Sequence, residues 1–229
     1  MKKFQKIVLF LLLAVFLVAG SASAALLGVK EYLGYPDIVF NNTGTINYNA
    51  TSDEFVLDGD DIWILYGDGT RDYLTGSGFT TDMKINLTVD VSGDLVGTGT
   101  MEEKVVGGEV TVDGTTYSSG TVLLSGNVYA FGWGESGAAL GQFDFLVDNT
   151  TLAGALVTSG VWPNNVPTGI FALAEVLNGW DGSWGSDFSL NKVKGDKAPP
   201  VPEPATLFLL GSGLVGLAGI GRKKFFKKS

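Results

Sequence analysis

The stretch Lys84-Ile85-Asn86-Leu87-Thr88-Val89-Asp90-Val91 alternates without a break, with Ile85, Leu87, Val89 and Val91 on one parity and Lys84, Asn86, Thr88 and Asp90 on the other. Successive side chains of an extended chain leave on opposite faces, so this pattern is a strand with one dry face and one wet face. Such half-wet strands belong to antiparallel sheets. Ser92-Gly93-Asp94 turns the chain toward a second strand at Leu95 to Met101. Asp113-Gly114, set between Glu109-Val110-Thr111-Val112 and Thr115-Thr116-Tyr117, predicts a hairpin closed by a type I′ turn, because both residues tolerate positive φ.

Further strand candidates are Asp37 to Phe40, Thr45 to Asn49, Glu54 to Leu57, Ile62 to Tyr66, Thr121 to Phe131, Gln142 to Val147, Ile170 to Val176 and Phe188 to Asn191. Turn residues separate many of them by about 8 to 12 positions, the spacing of sandwiches and barrels. Gly169 to Leu177 also satisfies helical spacing through Ile170, Leu173, Ala174 and Leu177. The expectation is one all-β domain over residues 25–191, either an antiparallel β-sandwich or a partly closed barrel. Residues 192–200, with Gly195, Pro199 and Pro200, read as a linker.

The amino end has its own layout. Lys2, Lys3 and Lys6 precede an apolar run of 13 residues from Ile7 to Ala19, and Ala22-Ser23-Ala24 supplies a small-x-small site. That order is a secretory signal over residues 1–24, cut by signal peptidase after Ala24. The carboxyl end, residues 201–229, is a second such unit. Val201-Pro202-Glu203-Pro204 is extended and non-helical, because each proline fixes its own φ and pushes its predecessor out of the α region. Ala205 to Gly221 then carries no charge over 17 residues, roughly 25 Å of helix and near the lower limit for spanning a bilayer. Arg222, Lys223, Lys224, Lys227 and Lys228 close it in the basic tail 222–229 and hold that end in the cytoplasm. The body is thereby expected outside the cytoplasm.

Pro202-Glu203-Pro204, a short Gly-rich apolar span and the Arg222-Lys223-Lys224 cluster resemble, in that order, the PEP-CTERM sorting signal. The resemblance covers about an eighth of the chain and implies processing by an exosortase, a membrane-embedded cysteine protease-transpeptidase of Gram-negative bacteria that make exopolysaccharide. It implies that Pro202, Glu203 and Pro204 are recognised, that Arg222, Lys223 and Lys224 retain the chain in the membrane, and that the carrier is a substrate rather than an enzyme. The protein would be anchored briefly in the inner membrane with its body in the periplasm, then released to the cell surface or the extracellular matrix. Exopolysaccharide is the partner that this setting suggests.

Charge and missing residue types narrow the body further. Residues 25–200 carry 23 Asp and Glu against 7 Lys and Arg, a balance of −16 that repels nucleic acid. No cysteine and no histidine occur anywhere. An exported fold without disulfides rests on its core, and Cys or His nucleophiles, bases and zinc sites are excluded. No cofactor is implied, and no motif selects a pair of carboxylates for a glycosidase, so the expectation is a protein that is not an enzyme.

Two weaker patterns remain. Trp180-Asp181-Gly182-Ser183-Trp184-Gly185 places Trp180 and Trp184 as candidate rings for stacking a sugar, the alternative being a secreted lectin-like module. Asp58, Asp60, Asp61 and Asp68 form a weak calcium candidate whose spacing does not fit an EF-hand and whose residues also suit turns. Tyr129, Phe131 and Trp133 share one parity and are expected in the core.

Overall fold

The computed structural model describes residues 36–136, 139–163, 169–176 and 180–201, together with Leu27, Lys30 and Glu31. The expected signal segment and Pro202 to the carboxyl end lie outside the described residues. The strands are β1 (Lys30–Glu31), β2 (Asp37–Asn49), β3 (Glu54–Asp61), β4 (Trp63–Leu65), β5 (Arg71–Tyr73), β6 (Phe79–Thr88), β7 (Gly99–Gly107), β8 (Glu109–Val112), β9 (Thr115–Ser118), β10 (Val122–Ser136), β11 (Ala139–Val147), β12 (Ile170–Val176), β13 (Phe188–Ala198) and β14 (Pro200–Val201). One short helix, α1 (Ala155–Thr158), lies between β11 and β12.

Eight of these strands form a closed antiparallel barrel in the order β2, β3, β6, β7, β10, β11, β12, β13, with β13 returning to β2. Of the two expected architectures the molecule adopts the barrel, closed completely rather than in part. Closure depends on β2, whose 13 residues pair with β3 and β4 along one edge and with β13 along the other. The β4–β5 hairpin is an appendage on the first residues of β2, through Asp37↔Leu65, Ile38↔Ile64 and Val39↔Trp63. The expected Asp113-Gly114 hairpin is present as β8–β9, with φ of 46° and 71° at its two central residues.

Several boundaries differ from expectation. Asp37 to Phe40 and Thr45 to Asn49 are one strand, bent at Asn42, where φ is 60°. The period-two strand starts earlier, at Phe79, and stops at Thr88; Val89 keeps its buried parity, whereas Val91 is 63 % exposed. Ile170–Val176 is strand, not helix. Residues 192–200 are no linker: Lys192 to Ala198 form the second half of β13, the strand that closes the barrel, and Pro200 belongs to β14. Gly195 and the prolines suggested a loop, but Gly195 pairs with Ala174 on one side and Phe40 on the other.

The interior of an eight-stranded barrel is just wide enough for side chains or one small ligand, and here side chains fill it. Phe40, Phe55, Leu57, Met83, Ile85, Phe143 and Phe145 are all 1 % exposed or less. Phe40 fits because two facing positions carry no side chain: a Cβ on Gly44 or Gly195 would lie 3.0 or 2.6 Å from its ring. At Gly195 the same Cβ would also lie 1.9 Å from the Leu173 carbonyl oxygen. Leu173 is held by the β12–β13 ladder, so the backbone cannot yield without breaking strand pairing. Gly195→Ala is expected to lower stability by about 3 kcal/mol, at the upper end for overpacking, with a matching fall in the urea midpoint. An unchanged midpoint would refute this account of the glycine.

The connections β2–β3, β6–β7, β10–β11 and β12–β13 gather at one end of the barrel. The start of β2, the end of β13 and the other connections gather at the opposite end, where β1 pairs with β14 through Lys30↔Val201 and Glu31↔Pro200. Among the described residues no helix is long and apolar enough to cross a membrane.

Candidate functional site

Among the described residues three positions of the barrel lining are charged. Asp61 ends β3 on the parity of Phe55, Leu57 and Gly59, Glu103 stands in β7 between Met101 and Val105, and Lys197 follows Val193 and Gly195 along β13. All three side chains are fully buried. The Lys197 Nζ donates to Asp61 Oδ2 at 2.6 Å and to Glu103 Oε2 at 2.8 Å. Three strands that are not neighbours in the sheet thus meet at one nitrogen inside the barrel. Asp61 Oδ1 and Glu103 Oε1 are buried and have no hydrogen-bond partner.

Isolated charges are rarely buried, because removing an ion from water costs several kcal/mol that a partner must offset. Here two acids face one base, and a neutral set needs one proton on the carboxyls. Burial and the neighbouring Glu103 push the Asp61 carboxyl up to about 8 against the pull of Lys197, so the carboxyl pair holds a shared proton at neutral pH. Burial pulls the Lys197 ammonium down, but the charge and hydrogen bonds of Asp61 and Glu103 outweigh it and hold its pKa above the ordinary lysine value. The cluster is an ammonium in contact with two carboxyl groups, away from water.

The calcium candidate does not assemble. Asp60 and Asp61 are adjacent, so the pleat sends them to opposite faces of β3. Asp58 is on the outer wall, paired with Lys84 at 3.0 Å, and the exposed Asp68 accepts from the Thr70 amide and hydroxyl in its own turn. Among the described residues no group of three or more acidic side chains is placed to hold a metal.

The proposed stacking pair is also displaced from its expected role. Trp180 and Trp184 are 8 % and 3 % exposed and plug the loop end of the barrel. Trp184 packs on Tyr48, Phe55, Phe131, Trp133, Trp180 and Phe188, with ring centroids 5.0 to 6.0 Å apart. Neither indole offers a face to a sugar. Phe131 and Trp133 line the lumen as expected, but a register shift between Val128 and Ala130 leaves Tyr129 48 % exposed.

A second polar pair lies outside the barrel wall. Asp144 accepts from Gln142 Nε2 at 2.7 Å and from the Leu27 backbone amide at 3.0 Å, so Leu27 lies against this part of β11. Burial raises the Asp144 carboxyl, and the two donors draw it partly back. An outer groove of about 430 Å³ along β6, β7 and β10 has its lysines already engaged, Lys84 with Asp58 and Lys104 with Asp82 and Glu102.

Sequence reasoning named Asp61 for the wrong partnership and missed Glu103 and Lys197. A usable signal existed, since each acid shares its parity with buried apolar neighbours. Lys197 was hidden by the reading of its strand as a linker.

Pro202, Glu203, Pro204, Arg222, Lys223, Lys224, Ala22 and Ala24 lie outside the described residues. Residues 200–223 match the family model of the PEP-CTERM protein-sorting motif. The match begins on β14, the strand that pairs with β1. The motif implies an exported chain with an exosortase sorting signal. No match was found among curated proteins or among solved structures.

Proposed function

We propose that the protein is an exported, non-enzymatic component of the cell envelope or extracellular matrix, delivered by its amino-terminal signal and processed by exosortase at Pro202 to Pro204. The sorting motif at residues 200–223 carries this reading. The barrel supports it, because its interior is packed with aromatic and aliphatic side chains rather than shaped as a ligand chamber. A scaffold displayed outside the cell needs such a filled core, since no cysteine is present to staple it.

The lectin-like alternative loses the stacking rings on which it rested. Sorting is tested by the mass of the mature chain from its native host, wild type against Glu203→Ala. The wild type is expected to lose its carboxyl-terminal segment and the variant to keep it. Identical masses would mean that the tripeptide is not read.

A further inference from the structure

We propose that Lys197 and Asp61 condense to an intramolecular amide, with Glu103 as the catalytic residue that moves the protons, making the buried cluster a self-modification site. The geometry has the required parts in contact: Nζ lies 2.6 Å from Asp61 Oδ2, and Glu103 Oε2 lies 2.8 Å from the same nitrogen. All three side chains are fully buried. The inference does not depend on the sorting reading.

The step balances without any outside reagent. The Lys197 ammonium gives one proton to the Glu103 carboxylate and becomes a free amine. The amine's lone pair attacks Cγ of the protonated Asp61, forming the C–N bond and a tetrahedral centre. Glu103 accepts a second amine proton as it returns the first to the departing hydroxyl, so the C–O bond breaks and one water leaves. The products are an amide, a water molecule and a protonated Glu103. No group is oxidised or reduced, and the summed charge is zero before and after.

Two physical effects favour a reaction that is sluggish and uphill between free amino acids in water. Holding amine and acid in contact raises the effective concentration to roughly 10⁵–10⁸ M. Water stabilises the separated ions of the free reactants, whereas the lumen denies them that hydration, so forming a neutral amide removes buried charge. Asp61 Oδ1 and Glu103 Oε1, unpartnered now, gain work as the amide oxygen's precursor and as an acceptor for protons in transit. The link would join the closing strand β13 to β3 across 136 residues of sequence, fastening a fold that has no disulfide.

Tryptic digestion of the purified full-length chain after denaturation, read by tandem mass spectrometry, decides the matter independently of processing at either terminus. The expected wild-type result is a joined peptide pair lighter by one water than the sum of its parts, linked at Asp61 and Lys197, with no cleavage after Lys197. Unlinked peptides ending at Lys197 in the wild type would overturn the proposal, and a link at Glu103 would overturn the choice of acid. Glu103→Gln, close in shape and checked for folding by circular dichroism, is expected to slow linkage by about 10²-fold or more. Folded Glu103→Gln that links at the wild-type rate would overturn the role given to Glu103.

Discussion

Lys197→Ala is expected to lose about 3–5 kcal/mol of stability, enough to unfold a domain of ordinary stability at moderate temperature. The variant leaves the Asp61 and Glu103 carboxyls facing each other in the barrel with no cation between them. The loss grows where the wild type carries the amide, because a link across 136 residues also restrains the unfolded chain. Urea unfolding followed by tryptophan fluorescence reads the effect directly. A midpoint within error of the wild type would mean that the buried cation does not hold the two acids. Replacing all three residues together, as Lys197→Met, Asp61→Val and Glu103→Leu, should restore stability to near the wild-type level if the parent is unlinked, since burying an ion pair commonly costs as much as it returns. A triple variant as unstable as Lys197→Ala would show instead that shape, not charge, limits the site.

Trp184→Ala should cost about 3–5 kcal/mol, the range for emptying a buried aromatic site. The ring packs against seven other aromatic side chains and closes one end of the lumen, so the gap would open the core to water. Its Nε1 is buried without a hydrogen-bond partner, whereas the neighbouring Trp133 Nε1 donates to the Gly93 carbonyl at 3.0 Å. Trp184→Phe should therefore cost much less than Trp184→Ala, because it keeps ring contacts and removes an unsatisfied donor. Thermal melting of the two variants checks this order. Equal losses would place the importance of Trp184 in its nitrogen and not in its packing. The backbone at position 93 enforces the same arrangement, as a Cβ there would meet both indole nitrogens at 2.2 and 2.6 Å.

What could be read along the chain was whatever depends on near neighbours. Ile85, Leu87 and Val89 are buried as their alternation requires, and Asp113-Gly114 makes its turn, because pleat and φ are local properties. Asp61 shares its parity with Phe55 and Leu57, and Glu103 with Met101, yet Asp61 was read as a turn or calcium acid and Glu103 fell beyond the strand expected to end at Met101. Gly195, Pro199 and Pro200 carried the strongest loop signal in the body and misled most. Gly195 is a glycine because Phe40 and the Leu173 carbonyl occupy its side-chain space, a fact that lies on two other strands. Likewise the glycines around Trp180 and Trp184 suggested an exposed loop, and the rings instead turn inward to fill the barrel mouth.

The sequence by itself determined the β class, the acidic body, the absence of cysteine and histidine chemistry and the sorting motif at the carboxyl end. Only the tertiary structure decided that the sheet closes, that the last strand is a stave of the barrel, and that Lys197 meets Asp61 and Glu103. The reason is one of range. Alternation and turn chemistry are set by residues a few positions apart, whereas ring closure joins β2 to β13 across most of the body, and no local pattern specifies which side chains will share the enclosed space.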